Sequence, residues 1–307
     1  MTTDNRELVF HQYAMSPFSE KIRKIFALKN LAYRSVDQPM WMPKPHLTPL
    51  TGGYRRIPVL QIGADVYCDT ALIARVLEAI APKPSLFPDG NTAATEAVAA
   101  WADRQLFMIC VPIVFGALAD VLPQELIEDR KSMRPDLDVA QLRAAAPALR
   151  AGLHAWCTRL NRSLESRKFL LGNAFSLADA AVYHCLWFVR NEPQAASAVA
   201  THQHLSEWLA RVDAMGAGTA TDMPAEEALQ IAAACAPRFE RGIQTNEASG
   251  LKEGMRIGVF ADDLPNDVFE GRLESAGEDE IVIVRETPEL GEIALHFPRV
   301  GYFVRPA

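Results

Sequence analysis

The stretch Leu8–Val36, LVFHQYAMSPFSEKIRKIFALKNLAYRSV, decides the fold of the N-terminal part of the chain. Leu8–Tyr13 is a short apolar run of β-favouring residues and predicts a strand. Ser16 is then a favourable helix N-cap and Pro17 a favourable first helical residue, and apolar residues follow at helical spacing. Ala32–Val36 predicts a second strand. A strand, a helix and a strand at this spacing predict a parallel βαβ unit.

The segment after this unit completes a small α/β domain. A proline-rich loop, Gln38–Arg56, leads to Pro58–Ile62 and Val66–Cys68, two short strands joined by the turn signal Gly63-Ala64-Asp65. Asp69 then caps an amphipathic helix. The order βαβ–ββα is that of a thioredoxin-like domain, predicted over residues 1–81. Ala81–Asn91, with three prolines and a glycine, predicts a linker.

The rest of the chain divides into two parts of different character. Residues 92–238 are alanine-rich with almost no strand signal and predict an all-helical domain, followed by a second linker at Phe239–Ser249. Residues 250–307 contain five short β-like runs and predict a small all-β module, a closed barrel or an SH3-like sheet. The predicted helices are Thr92–Leu118 (bent at Pro112), Gln141–Ser166, Leu177–Asn191, His202–Met215 and Pro224–Ala236. The predicted tail strands are Met255–Phe260, Val268–Ser275, Glu280–Arg285, Gly291–Phe297 and Val300–Val304.

Composition excludes several classes of function. A length of 307 residues with 49% hydrophobic and 22% charged residues fits a soluble chain of two domains plus a smaller part. The net charge is −7; residues 250–307 hold 6 Lys/Arg and 12 Asp/Glu, so most of the acidity lies there. Without a basic stripe to neutralise phosphates, nucleic acid is not an expected partner. The polar start, Met1–Glu7, predicts no signal peptide, and no run of about 18 apolar residues predicts a membrane span.

The cysteines predict neither disulfides nor a metal site. All five stand singly, without a C-x-x-C pair or a His/Cys cluster at metal-ligand spacing. Reduced thiols in a cytoplasm are therefore expected, and metal is not. The five are Cys68, Cys110, Cys157, Cys185 and Cys235.

Ser16 is the first candidate for chemistry, because it lies where a strand ends and a helix begins. Its hydroxyl can donate a hydrogen bond to an anion, and the helix N-terminus adds partial positive charge. Lowering a thiol pKa from near 8.5 by about two units requires ~2.7 kcal/mol of preferential anion stabilisation, which these groups can supply. The alternative is that Ser16 is only a cap. Ser19, one turn inward, is a weaker candidate that packs or caps.

Two further motifs fit the binding of a small peptide. A cis proline at Pro58 would turn the backbone N–H and C=O of Ile57 outward, able to pair with an extended peptide; an ordinary trans proline at a strand start is the alternative. Asp69 and Thr70 combine a carboxylate, a hydroxyl and helix-terminal N–H groups. Such a set can recognise both the ammonium and the carboxylate of an amino-acid end group, or can be a plain helix cap.

Together these residues resemble the glutathione S-transferase family. Ser16–Arg23 resembles its first active-site segment, Ile57–Leu60 its cis-proline segment, and Asp69–Ile73 its Glu/Asp-Ser segment, with Thr70 in place of the usual serine. In the helical half, Phe169-Leu170-Leu171-Gly172 followed by Phe175–Asp179 resembles the family's buried helix with a Ser-x-x-Asp capping box. The resemblance covers residues 8–236, follows serine-type, theta- or zeta-like bacterial members, and leaves out the tail.

The resemblance implies a homodimer that binds glutathione on its N-terminal domain. Ser16 would activate the glutathione thiol, with Tyr13 as a lower-ranked rival. Ile57 and Pro58 would pair with the cysteinyl part, and Asp69 and Thr70 would hold the γ-glutamyl end. It further implies an apolar second-substrate pocket. Phe107, Met108, Phe115 and Trp187 could line this pocket, and core packing is the alternative for each of them. The unusually apolar loop Met40-Trp41-Met42 could roof the ligand cleft or contact a partner subunit, and core packing is again the alternative.

The leading hypothesis is a cytoplasmic glutathione transferase that acts in detoxification. The thiolate would attack an electrophilic, largely apolar substrate, and an isomerase or dehalogenase variant stays open. The alternative is a non-catalytic glutathione-binding or protein-interaction protein on the same scaffold, which the acidic tail keeps open. A thiol–disulfide reductase would need a cysteine at the helix cap, where Ser16 stands.

Overall fold

The computed structural model describes residues 7–244 and 250–307 of the chain. The predicted absence of a signal peptide concerns mainly residues 1–6, which lie outside this range. Residues 245–249 of the predicted second linker also lie outside it. The described chain divides into two compact units. We call residues up to 19, 32–76 and 219–307 the sheet unit, and residues 20–31 and 77–218 the helical unit.

Within the described residues, eleven strands form one sheet, and all of them belong to the sheet unit. Its strand order is β11-β7-β8-β9-β10-β4-β3-β1-β2-β5, with β6 paired to β8. The strands are β1 (Val9–Gln12), β2 (Ala32–Asp37), β3 (Val59–Ile62), β4 (Asp65–Cys68), β5 (Thr219–Asp222), β6 (Gly242–Ile243), β7 (Arg256–Ala261), β8 (Leu264–Ala276), β9 (Glu280–Thr287), β10 (Gly291–Pro298) and β11 (Tyr302–Pro306).

The thioredoxin-like part has the predicted βαβ–ββα order. β1 pairs parallel with β2 across helix α1, and antiparallel with β3, which forms a hairpin with β4. The helices of the described chain are α1 (Pro17–Lys29), α2 (Thr48–Thr51), α3 (Thr70–Ile80), α4 (Thr92–Trp101), α5 (Phe107–Leu118), α6 (Gln124–Met133), α7 (Val139–Leu164), α8 (Leu177–Val189), α9 (Pro193–Ala200), α10 (Gln203–Asp213) and α11 (Ala225–Ala233). The predicted fold class is confirmed, including the β strands at the C-terminus.

The C-terminal β extension, as we call strands β7–β11, continues the thioredoxin-like sheet. β10 pairs parallel with β4, with Leu295 opposite Val66. One apolar core joins the two parts, because Val59 and Val66 of the hairpin share it with Ile283 and Phe297 of the extension. That residues 1–81, 92–238 and 250–307 form three separate domains stays a prediction.

The helical unit differs from the sequence expectation in detail. Helices α6 and α9 were not predicted, because their short polar or alanine-rich stretches carry little apolar periodicity. Between α4 and α5 the chain forms a π-helical turn, Ala102–Leu106, ahead of the predicted bend at Pro112. The whole run Thr92–Leu118 is long and apolar enough to cross a membrane, a property that it shares with core helices of soluble proteins.

Candidate functional site

Strand register brings three candidate segments to one edge of the sheet. His11 of β1 pairs with Val59 of β3, and Val59 pairs in turn with Cys68 of β4. Since β1 and β4 run toward this edge and β3 runs away from it, the loop after β1, the start of β3 and the start of α3 lie side by side. Adjacent strands are about 4.8 Å apart, so β1 and β4 are separated by about 10 Å. An extended tripeptide has about this length.

Ser16 caps helix α1. Its Oγ accepts a hydrogen bond from the backbone N–H of Ser19 at 3.1 Å, and its own N–H donates to the carbonyl of Tyr13 at 3.0 Å. The residue is 1% exposed. Among the residues that the structure describes, the hydroxyl proton of Ser16 has no acceptor. The arrangement therefore leaves one hydroxyl donor beside the positive end of a helix.

The two rivals of Ser16 occupy different surroundings. Ser19 is fully buried, and its hydroxyl makes no hydrogen bond within the described part of the chain. Tyr13 follows the last residue of β1 and directly precedes the turn residues Ala14 and Met15, three residues before Ser16. It lines a cavity next to that turn. Proximity to the cap thus leaves Tyr13 as an alternative activator.

The Ile57–Pro58 peptide bond is cis, as the family segment implies. Pro58 is buried, whereas Ile57 is half-buried and packs against the core. The backbone N–H and C=O of Ile57 form no hydrogen bond with the described residues 7–244 and 250–307. A peptide ligand that pairs with Ile57 would satisfy both groups.

Asp69 joins β4 to α3 in a left-handed conformation, with φ at 76°. Its Oδ1 accepts a hydrogen bond from the N–H of Ala71 at 2.9 Å, and its Oδ2 accepts one from the hydroxyl of Tyr302 at 3.3 Å. A left-handed backbone at a residue other than glycine is uncommon and marks a constrained position. Thr70, the first residue of α3, is buried.

Tyr302 is a site neighbour that sequence analysis did not find. It lies in β11, 233 residues after Asp69. Nothing local in the tail sequence points to that contact, because it depends on the parallel pairing of β10 with β4.

Cys68, the residue before Asp69, is not a nucleophile candidate. It is fully buried in the core of the sheet unit. Burial, followed by the charge of Asp69, raises the pKa of this thiol well above its ordinary value. It therefore stays protonated at neutral pH. Within the described residues, no group of three or more His, Cys, Asp or Glu side chains is placed to hold a metal ion.

A cavity of about 400 Å³ opens beside the turn that carries Ser16. Two segments line it, the turn after β1 and the loop after β2, and their exposed lining is mostly apolar. The lining residues are Tyr13, Ala14, Met15, Asp37, Gln38, Pro39, Met40 and Trp41. The Met40-Trp41 pair, an unusually apolar loop in the sequence, thus faces a cavity rather than the fully buried core.

The helical unit holds the other predicted second-substrate residues. Phe107, Met108 and Phe115 lie on α5, and Trp187 lies on α8. None of the four is fully buried, and Met108 is 48% exposed.

Two family models match the chain. The glutathione S-transferase N-terminal domain matches residues 10–85, and the glutathione S-transferase C-terminal domain matches residues 135–216. No curated protein sequence matches.

Solved structures show the same likeness. A GST-like protein from Pseudomonas syringae is 36% identical, with a TM-score of 0.77 over 98% of this chain and 100% of its own. A glutathione S-transferase from Rhodospirillum rubrum F11 is 23% identical, with a TM-score of 0.54 over 67% of this chain and 87% of its own. A glutathione S-transferase domain-containing protein from Marinobacter aquaeolei VT8 is 19% identical, with a TM-score of 0.54 over 67% of this chain and 97% of its own. The Pseudomonas protein matches almost the full length, including the C-terminal β extension.

Proposed function

The chain belongs to the glutathione S-transferase family, and we propose that it is a serine-type glutathione transferase that uses Ser16 to hold the glutathione thiolate. The observation that carries the proposal is the Ser16 hydroxyl at the N-terminus of α1, with its proton not donated to any described residue. It shares a sheet edge with Ile57 and Asp69, as three-point binding of a tripeptide requires.

The catalytic step is nucleophilic attack by sulfur. Glutathione loses its thiol proton to solvent, and the Ser16 hydroxyl donates a hydrogen bond to the resulting thiolate. The partial positive charge of the α1 N-terminus adds to this stabilisation. The sulfur lone pair then forms a C–S bond to an electrophilic carbon. The electron pair that is displaced leaves with a leaving group or moves onto an adjacent acceptor, as the substrate dictates.

The remaining residues bind the peptide and fix its direction. The backbone N–H and C=O of Ile57, beside cis-Pro58, pair with the cysteinyl part of glutathione. Asp69 receives the ammonium of the γ-glutamyl end, and Thr70 with the N-terminal N–H groups of α3 receives its carboxylate. This direction places the sulfur toward the α1 cap, about two strand spacings from Asp69.

The cavity beside Tyr13 and Trp41 supplies a place for the second substrate. Its volume lies within the range of small-molecule pockets, and its apolar lining favours an apolar electrophile. Addition, substitution, isomerisation and dehalogenation all pass through the same thiolate, so this site serves each of them. In this proposal the enzyme is a cytoplasmic homodimer that detoxifies electrophiles. The non-catalytic alternative is not favoured by the matches.

The test combines glutathione titration by calorimetry with thiolate absorbance measured over pH. The wild type is compared with Ser16→Ala, and with Tyr13→Phe and Ser19→Ala as matched hydroxyl deletions. We expect all four to bind glutathione. In the wild type and both controls, the pKa of the bound thiol is about two units below that of free glutathione. In Ser16→Ala it returns to the free value.

Each other outcome contradicts a specific part of the proposal. A wild type that does not bind glutathione rejects the transferase function on this scaffold. Binding with a normal thiol pKa indicates the non-catalytic alternative. Loss of the lowered pKa in Tyr13→Phe, with Ser16→Ala unchanged, assigns activation to the tyrosine.

A further inference from the structure

The C-terminal β extension reaches two of the segments that form the proposed glutathione site. Asp263, in the turn between β7 and β8, accepts an ion-pair contact from Arg56 at 2.7 Å, directly before the Ile57–Pro58 bond. Tyr302, the first residue of β11, donates to Asp69 at 3.3 Å, directly before α3. The extension therefore touches the flanks of both peptide-binding segments.

Tyr302 belongs to a chain of two hydroxyls that ends on the carboxylate of Asp69. The Tyr54 hydroxyl lies 3.4 Å from the Tyr302 hydroxyl, which lies 3.3 Å from Oδ2 of Asp69. A carboxylate only accepts, so Tyr302 donates to Asp69 and can accept from Tyr54. Both rings are nearly fully buried and lie against the ring of Phe297, Tyr54 edge-on and Tyr302 tilted. The hydrogen bonds of this pair of hydroxyls are therefore directed toward Asp69.

We propose that Tyr302 is a positioning residue for glutathione, which orients the Asp69 carboxylate toward the γ-glutamyl ammonium group. The inference rests on the proposed function and deepens it. It makes the C-terminal β extension part of the substrate site, although the family models match only residues 10–85 and 135–216.

The hydrogen bonds of Asp69 explain why orientation requires a second donor. Oδ1 is held by the N–H of Ala71, which fixes one end of the carboxylate at the start of α3. The Tyr302 hydroxyl donates to Oδ2 and so fixes the plane of the carboxylate group. An ionised carboxylate offers about four acceptor sites, so about two remain for an ammonium donor. A carboxylate oriented before the ligand arrives loses less conformational freedom on binding.

Tyr302 also stays a donor over the working range of pH. Burial, followed by the neighbouring Tyr54 and Asp69, raises the pKa of Tyr302 well above its ordinary value. The same causes, burial first and then Asp69, raise the pKa of Tyr54. Both hydroxyls therefore keep their protons at neutral pH.

The competing interpretation is that Tyr302 only fills the core. Its ring lies 5.5 Å from the ring of Phe297 and contributes apolar packing. Tyr302→Phe separates the two roles, since it keeps the ring and removes only the hydroxyl. Tyr183→Phe is the matched control, because it removes a hydroxyl that donates to Asp213 within the helical unit.

The experiment measures binding of two peptides by calorimetry on the full-length protein. One is glutathione, and the other is glutaryl-cysteinyl-glycine, which lacks the amino group of the γ-glutamyl end. We expect Tyr302→Phe to weaken glutathione binding about tenfold and binding of the desamino peptide less than about twofold. Tyr183→Phe should change neither. In an Asp69→Asn background, Tyr302→Phe should have no further effect on glutathione.

Three results would overturn the inference. Unchanged glutathione binding in Tyr302→Phe removes the positioning role, and equal weakening for both peptides indicates a general packing effect. If Tyr302→Phe weakens glutathione binding as much in the Asp69→Asn background as in the wild type, Tyr302 does not act through Asp69. If Tyr302→Phe fails to fold, Tyr54→Phe should give a smaller shift with the same preference between peptides. Absence of glutathione binding by the wild type instead rejects the proposed function itself.

Discussion

The imidazole of His296 bridges the C-terminal β extension and the thioredoxin-like strands through Asp65. Its Nε2 lies 3.2 Å from Oδ1 of Asp65 in β4, and its Nδ1 lies 3.0 Å from Oε2 of Glu280 in β9. The ring is 1% exposed and stacks on Tyr67 at 4.3 Å. Only the protonated imidazole donates to both carboxylates at once. This buried cation therefore lies at the β4–β10 junction.

His296 should make the protein more stable at mildly acidic pH than at alkaline pH. Burial opposes the charge, but the hydrogen bonds that the ring donates to Asp65 and Glu280 raise the pKa of His296 above 6.5. The folded state therefore holds the proton more tightly than the unfolded state. The stabilisation is complete below about pH 6.5 and is lost as pH rises through the raised pKa.

Urea unfolding of the wild type and His296→Gln measures this contribution. The difference in unfolding free energy should be largest near pH 6 and shrink toward pH 9. Glutamine keeps a hydrogen-bond donor but does not titrate. The pH-dependent part of the difference between the two proteins therefore reports the His296 proton. A difference that grows with pH would show that the folded state binds the proton less tightly than the unfolded one.

His11 should have the opposite dependence on pH. Burial lowers the pKa of His11 from 6.5 to about 4, although its hydrogen bond with Gln61 opposes this. The side-chain Nε2 of Gln38 donates to Nδ1 of His11 at 3.1 Å, and Nε2 of His11 lies 2.9 Å from the side-chain Oε1 of Gln61. A second ring proton would face the amide donor of Gln38. The neutral ring is thus required in the fold.

The stability of the wild type should therefore fall by about 3 kcal/mol between pH 6.5 and pH 4 because of His11. The unfolded state binds the proton below pH 6.5, whereas the folded state does not until about pH 4. His11→Gln should be less stable at pH 7 but should lose less stability on acidification. Equal acid sensitivity in both proteins would contradict the assignment. Comparison with His296→Gln separates the two histidines.

The local elements of the site could be predicted from sequence, because each depends on neighbouring residues. The cap at Ser16 followed by Pro17, the hairpin turn at Gly63 and the helix start after Asp69 are short-range signals. The five short β-like runs of the tail likewise predicted the five strands of the C-terminal β extension within a few residues.

The long-range contacts could not be predicted, because nothing local encodes them. The parallel pairing of β10 with β4 joins residues about 230 positions apart, and it creates both the Tyr302–Asp69 and His296–Asp65 contacts. β5 at Thr219–Asp222 was also missed. Its four residues are exposed, so it has no apolar face for a sequence pattern to show.

The ion pair between the buried Lys21 and the largely buried Asp103 should be essential to the stability of the helical unit. The Lys21 ammonium lies 2.5 Å from Oδ2 of Asp103, whose Oδ1 accepts from His184 at 2.9 Å. Burial opposes the charge of Asp103, but Lys21 and His184 lower the pKa of this carboxyl. Lys21→Met should cost about 3–5 kcal/mol, because it leaves Asp103 without its cation.

Chemical denaturation of paired variants tests this cost. Arg256→Gln is the matched control, since the Arg256–Glu270 pair is 3.6 Å long and its side chains are 75% and 54% exposed. It should change the unfolding free energy by less than about 0.5 kcal/mol. Lys21→Met combined with Asp103→Leu should recover part of the loss. A cost below about 1 kcal/mol for Lys21→Met would mean that water solvates the Asp103 carboxylate when its cation is removed, and would contradict the prediction.

Trp41→Ala should weaken use of the electrophile without weakening use of glutathione. Trp41 lines the cavity beside the Ser16 turn, whereas the proposed glutathione contacts lie at Ile57 and Asp69. Removing the ring deletes apolar contact surface, so KM for an apolar electrophile should rise about tenfold with KM for glutathione unchanged. Trp187→Ala, in α8, is the matched control and tests the alternative pocket of the helical unit. If Trp187→Ala alone raises KM for the electrophile, the second substrate binds on the helical unit and not in the cavity beside Tyr13.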